Sequence, residues 1–190
     1  MKTGQDLIEA VRAIELKVQF GSGIRVITYQ FRHDSLGTTG SLKNGGRYNI
    51  MSVLPGSFGS LYVAGDLQTA EMEAGATSRE ERWHKSYYVV MYKLLVADLR
   101  QSDTVDEIGI TESELNCKWD VINEVDNNVA PTQELGLAFY RHTNAQALIY
   151  PSAKRPQGYN LVIFPDKINS DYYLKSRFFF YSHEEVGQDM

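Results

Sequence analysis

The chain has one cysteine, Cys117, which excludes an internal disulfide and leaves no cysteine cluster for zinc. It lies in the polar stretch "ESELNCKWD" with no base at a recognisable spacing, and reads as a structural thiol in a reducing compartment. Basic runs are missing too: the 19 Lys and Arg are scattered among 24 acids, for a net charge of -5. The electrostatic footprint of a nucleic-acid binder is therefore absent, although a small anion stays eligible as ligand. No apolar stretch reaches membrane-spanning length. The opening "MKTGQDLIEAVRAIELKVQF" carries Glu9 and Glu15, so it lacks the apolar core of a signal peptide, and the expected site of action is the cytoplasm. His33, His84, His142 and His183 stand alone, without an H-E-x-x-H or paired spacing; no metal site is expected.

What the chain does have is a globular composition, 43% apolar with 12 Tyr and 8 Phe in 190 residues. That is enough for one domain over 1–190 with its own core. Leu7, Ile8, Val11 and Ile14 fall at helical spacing and predict an opening amphipathic helix, with alternation beginning at Leu16, Val18 and Phe20. "GIRVITYQF" predicts a strand ending near Arg32, and "HDSLGTTGSLKNGGRYN" a loop whose backbone amides can face a ligand. "SLYVAGDLQTAEMEA" predicts a short strand bearing Tyr62, then a helix over 67–78 with Leu67, Ala70 and Ala74 as its buried stripe. "SYYVVMYKLLVADL" reads as a central strand, and residues 101–131 as acidic and polar with "NEVDNN" an irregular connection. "TQELGLAFYRH" predicts a helix capped by Thr132; "ALIYPS", "YNLVIF" and "SRFFFY" predict three closing strands. Strands outnumber helices without regular alternation, so the expected class is α+β, with antiparallel sheets and flanking helices.

The Gly-rich loop matches neither phosphate-cradling fingerprint. Arg32 at its entrance and Arg47 at its exit offer forks that fit a diphosphate, or are simply two solvated arginines. Glu71 and Glu73 lie roughly 200° apart on a helical wheel and cannot act as a carboxylate pair. Spacing leaves open which of them, if either, enters a pocket. No triad is visible.

The arginine closing the first strand, "GGRYN", "LYVAGDLQTAEMEA", the "QELGLAF" helix and "ALIYPSAKRPQGYNLVIFPD" occur in an order that resembles the RES domain family, named for an Arg, a Glu and a Ser. The likeness spans roughly residues 29–166. It implies a fold similar to the ADP-ribosyltransferases and an NAD-consuming toxin that hydrolyses or phosphorolyses the nicotinamide bond. The usual partner is an Xre-type antitoxin or an immunity protein; direct nucleic-acid or membrane binding is not implied, and a homodimer is left open. By the family pattern Arg32 and Arg47 are its arginines, Tyr62 its tyrosine and Ser152 its serine. The acid eleven residues after the tyrosine is Glu73 rather than Glu71, which is then solvated. The resemblance thus casts Glu73, Arg47 and Tyr62 as catalytic, and Arg32, Arg47, Ser152 and Asn160 as NAD-binding. Glu71, two residues before Glu73, also suits an ADP-ribosyltransferase that modifies a protein or nucleic acid, and a catalytically silent binding module is the third reading.

Overall fold

Helix α1 (Gly4–Ala13) buries Leu7 and Val11 of the predicted stripe together with Ala10, while Ile8 and Ile14 are half-buried. The computed structural model describes residues 1–53, 55–75, 84–126, 128–168 and 173–178; His183, the expected helix end at 78 and the tail of "SRFFFY" lie outside them. After α1 come strand β1 (Lys17–Thr28), a 3₁₀ turn (Tyr29–Phe31), α2 (Thr39–Asn44), β2 (Leu61–Ala64) and α3 (Leu67–Ala74). Then follow β3 (His84–Asp98), α4 (Ser102–Ile108), α5 (Glu112–Leu115), α6 (Trp119–Glu124) and α7 (Pro131–His142). Strands β4 (Ala147–Pro151), β5 (Tyr159–Ile163) and β6 (Tyr173–Phe178) complete the fold. The result is the expected mixture of a largely antiparallel sheet with flanking helices, with one parallel pair, β3 with β4.

Six strands pair in the order β1-β2-β5-β4-β3-β6, and β1 also pairs with β3. The extra pairing closes the first five into a ring. Because side chains alternate across a strand, each strand gives one set to the ring's interior and the other to its outside. Leu61 and Val63 of β2 meet Val89 and Met91 of β3 in one buried cluster with Ile149 and Leu161. Since β2 and β3 are not neighbours, that contact runs through the middle of the ring. Tyr62, Leu148, Tyr150 and Val162, one residue out of phase, face outward and join α1 and α7 in the larger core.

Helix α7 is fastened there by Leu135 and Phe139, both at 0% exposure and one turn apart. Burial of each contributes about 2 kcal/mol. Between them Gly136 lets the backbone of Tyr48 press against the helix: a Cβ at Gly136 would stand 1.9 Å from the Tyr48 carbonyl oxygen.

Three expectations need correction. Helix α7 starts two residues early, with Ala130 as N-cap and Pro131 at its first position, because proline's missing N–H matters least there; Thr132 is buried inside the helix rather than capping it. The acidic stretch 101–131, for which only the "NEVDNN" connection was expected, also holds α4, α5 and α6, with Thr111 and Glu114 forming a reciprocal capping box on α5. In α3 the buried residues are Thr69 and Ala70, whereas Ala74 is exposed, since Gly75 in the left-handed conformation (φ 67°) stops the helix there.

Candidate active site

The α3 helix fixes the position of Glu73. Its N-cap, Asp66, accepts from the Thr69 N–H at 2.9 Å and the Thr69 hydroxyl at 2.8 Å, and Leu67 and Ala70 pack on Ile24, Val26 and Ala64 of β1 and β2. At the other end Lys154 Nζ donates to the Glu73 carbonyl at 2.8 Å, placing a cation on the negative end of the helix dipole. Arg155 Nη1 bonds Asp66 Oδ2 at 2.8 Å and Thr69 Oγ1 at 2.9 Å. Segment 152–155 thus grips both ends of α3.

The Glu73 side chain is half-buried. Its Oε1 accepts from Ser152 Oγ at 2.7 Å and from Asn160 Nδ2 at 2.8 Å. Ser152 Oγ meanwhile accepts from the N–H groups of Lys154 and Arg155 at 3.2 and 3.1 Å, so its own hydrogen is turned toward the carboxylate. Asn160, 5% exposed, sits on β5 between Ala64 of β2 and Tyr150 of β4, so the sheet register aims its amide. Oε2 makes no hydrogen bond among the described residues. Glu71 is also half-buried on α3, and is thus less open than the solvated side chain expected.

"GGRYN" forms a tight turn bridged between Gly46 and Asn49. Tyr62 Oη accepts from the Tyr48 N–H at 2.9 Å and donates to Asn49 Oδ1 at 2.8 Å. The Asn49 amide cannot be reversed, because its Nδ2 donates to the Ser41 and Phe58 carbonyls at 2.8 and 3.4 Å. The Tyr62 hydroxyl is therefore engaged within the protein, and what it can offer a ligand is chiefly its ring. Gly46 is required by this closeness: a Cβ there would lie 2.7 Å from Tyr62 Oη. From the turn Arg47 Nη1 donates to the Leu115 and Cys117 carbonyls at 2.8 and 3.2 Å, leaving Nη2 and Nε without a hydrogen bond among the described residues.

Tyr150 was not apparent from sequence. Its ring meets Tyr48 at a centroid distance of 4.5 Å, and burial, reinforced by Tyr62, Tyr48 and Glu73, pushes its hydroxyl well above the normal range while Arg47 works the other way. Burial raises Tyr48 and Tyr62 as well. All three phenols are neutral near pH 7, and Tyr150 feels the charges of both Glu73 and Arg47. The electrostatic group is therefore Glu73, Arg47, Tyr62 and Tyr150, with Ser152 and Asn160 steering the carboxylate.

Arg32 stands apart. It follows the 3₁₀ turn, lies over the Tyr29 ring at 4.1 Å and donates to the Tyr29 carbonyl at 3.2 Å. Among the described residues it shares no hydrogen bond or ring contact with Glu73 or Arg47. The more constrained arginine of this region is Arg25, whose Nη1 and Nη2 donate to the Ser35 and Gly37 carbonyls at 2.9 and 3.0 Å. Burial pushes Arg25 down to about 10, opposed by Asp34, so it stays charged at neutral pH and pins the loop beside β1. An arginine inside a β-branched strand, "GIRVIT", was the signal available for it. Among the described residues no group of three or more His, Cys, Asp or Glu could hold a metal ion, and no helix is long and apolar enough to cross a membrane.

One acid-range prediction arises here. Against the penalty of burial, hydrogen bonds from Thr69 and then the Arg155 charge hold the Asp66 carboxyl below its usual value. A depressed folded pKa stabilises above the unfolded value and is lost as pH falls through the folded one, so this contribution fades below about pH 4. Thermal melts of Asp66→Asn are expected to lose part of the acid limb shown by the wild type; identical pH dependence would discount the cap.

A ring of mostly antiparallel strands, with a glutamate hydrogen-bonded by Ser152 and Asn160 and with buried phenols packed around it, defines a mixed α/β protein. The model of the RES domain matches residues 24–178, and the chain belongs to the RES domain family; the match begins before Arg25 and extends past the 29–166 likeness read from the sequence. The chain is similar in fold to a solved structure described as the M. tuberculosis MbcT-MbcA toxin-antitoxin complex, with TM-score 0.68, 18% identity, and 93% of each chain covered. No curated protein matches it.

Proposed function

We propose that the protein is a toxin that degrades NAD by breaking the nicotinamide–ribose bond, with water or inorganic phosphate as acceptor. The observation that carries this reading is the Glu73 carboxylate, fixed through one oxygen by Ser152 and Asn160 while the other is left for substrate. Most glycosidases need two carboxylates because the leaving oxygen must be protonated. Nicotinamide leaves a cationic ring as a neutral base, taking the bonding pair with it, and needs no acid. One carboxylate near the ribose suffices to stabilise positive charge building on C1′. The acceptor then bonds C1′ and loses its proton to solvent.

In this scheme Glu73 Oε2 receives a ribose hydroxyl, Arg47 holds the diphosphate through the nitrogens its turn leaves unused, and the Tyr62 ring lies along nicotinamide. Arg32 binds the diphosphate only if its stack on Tyr29 opens. Membership of the RES family supports the activity, and the likeness to a toxin–antitoxin complex supports an antitoxin partner, of Xre type or an immunity protein, and action in the cytoplasm.

The test is incubation of purified protein with NAD, labelled on its ADP-ribose half, with and without phosphate. Free ADP-ribose or its phosphate ester is the expected product. Label retained on protein or nucleic acid would replace this reading with ADP-ribosyl transfer, and intact NAD would remove both.

A further inference from the structure

Gln133 is 1% exposed and bonded through both ends of its amide. Oε1 accepts from the Ala130 N–H at 3.0 Å and Asn123 Nδ2 at 2.9 Å. Nε2 donates to Asn123 Oδ1 at 2.8 Å and to the Gly46 carbonyl at 3.0 Å, with a longer leg of 3.4 Å to the Asn49 carbonyl. Two donors and two acceptors exhaust what a side-chain amide offers. Its orientation is settled as well, since the reverse would set oxygen against the Gly46 and Asn49 carbonyls. Those carbonyls belong to the two residues that bridge the turn, and Arg47 lies between them. Gly136, on the same helix, packs against Tyr48 of that turn.

We propose that Gln133 is a positioning residue for the NAD site: it locks both sides of the Gly46–Asn49 turn and so sets where Arg47 presents its guanidinium to the substrate diphosphate. The inference rests on the NAD reading above. The two ends of the amide do different work. Oε1 reaches back to the start of α7 as an ordinary helix cap, whereas Nε2 holds the turn. Gln133→Glu is nearly isosteric, keeps an acceptor for the cap and removes the donors, so it separates these roles.

With the full-length protein and NAD, Gln133→Glu is expected to raise KM about tenfold and change kcat by less than about threefold, the pattern of lost substrate binding. The effect should vanish in an Arg47→Ala background, because residues acting through one another are not additive. A KM unchanged from wild type, or the same rise with Arg47 already removed, would overturn the proposal even if the melting temperature fell, since that is what a cap alone predicts. Should Gln133→Glu fail to fold, Asn123→Ala decides. It removes the half-buried amide that orients Nε2 and should raise KM about threefold; no change counts against the proposal. Wild-type protein that leaves NAD intact takes down both readings, whereas active wild type with unaltered variants sinks this one alone.

Discussion

Replacing Glu73 with glutamine is expected to slow NAD cleavage about a thousandfold, the scale on which removing a group that stabilises transition-state charge acts. Glutamine can still accept from Ser152 and Asn160 through its carbonyl oxygen, so the local hydrogen bonds of the site are retained and the negative charge alone is lost. Glu71 lies on another side of α3, roughly 200° around the helix from Glu73, and Glu71→Gln is expected to stay within about threefold of wild type. Product formation by the two purified variants at saturating NAD decides the matter. Equal loss in both, or full activity of the Glu73 variant, would take Glu73 out of the mechanism.

The second large effect concerns stability. Gly136→Ala improves helix propensity by about 1 kcal/mol, but it sets a methyl group 1.9 Å from the Tyr48 carbonyl oxygen. That atom belongs to the backbone, so no side-chain rotation relieves the overlap, and α7 has to move away from the "GGRYN" turn. Overpacking of this kind costs about 3 kcal/mol or more, and the steric effect wins. A net loss near 2 kcal/mol lowers the melting temperature by roughly 4–8 °C in a chain of this size. An unchanged or higher melting temperature would mean that α7 and the turn do not pack this closely.

The strands were legible because their chemistry is local: β-branched and aromatic runs such as "IRVIT" and "ALIYP" mark extended chain wherever they occur. Helices α4–α6 were not, being short and polar. Their signals lay instead in single positions, such as Thr111 with Glu114 three residues on. For the site, periodicity leaves Glu71 and Glu73 equal, and only the family pattern separates them. The partners of Glu73 come from just past β4 and from β5, 79 and 87 residues away in sequence, and no local pattern encodes a distance of that kind. Tyr150, Asn49 and Gln133 were invisible for the same reason: strand register and helix docking bring them in, through contacts that the chain makes only once folded. Arg25 left only the signal of a charge inside an apolar strand, and what it does shows once the Ser35 and Gly37 carbonyls around it are seen.

The ring of strands also has a seam. β1 meets β3 along nearly its whole length but joins β2 through the Ile24–Ala64 pair, and Ala70 and Leu67 of α3 are packed across that join. The helix that carries the acid is thus a rivet over the barrel's narrowest weld. Whatever loosens the rivet shifts Glu73 at the same moment, so a barrel that has begun to part no longer holds that carboxylate in place.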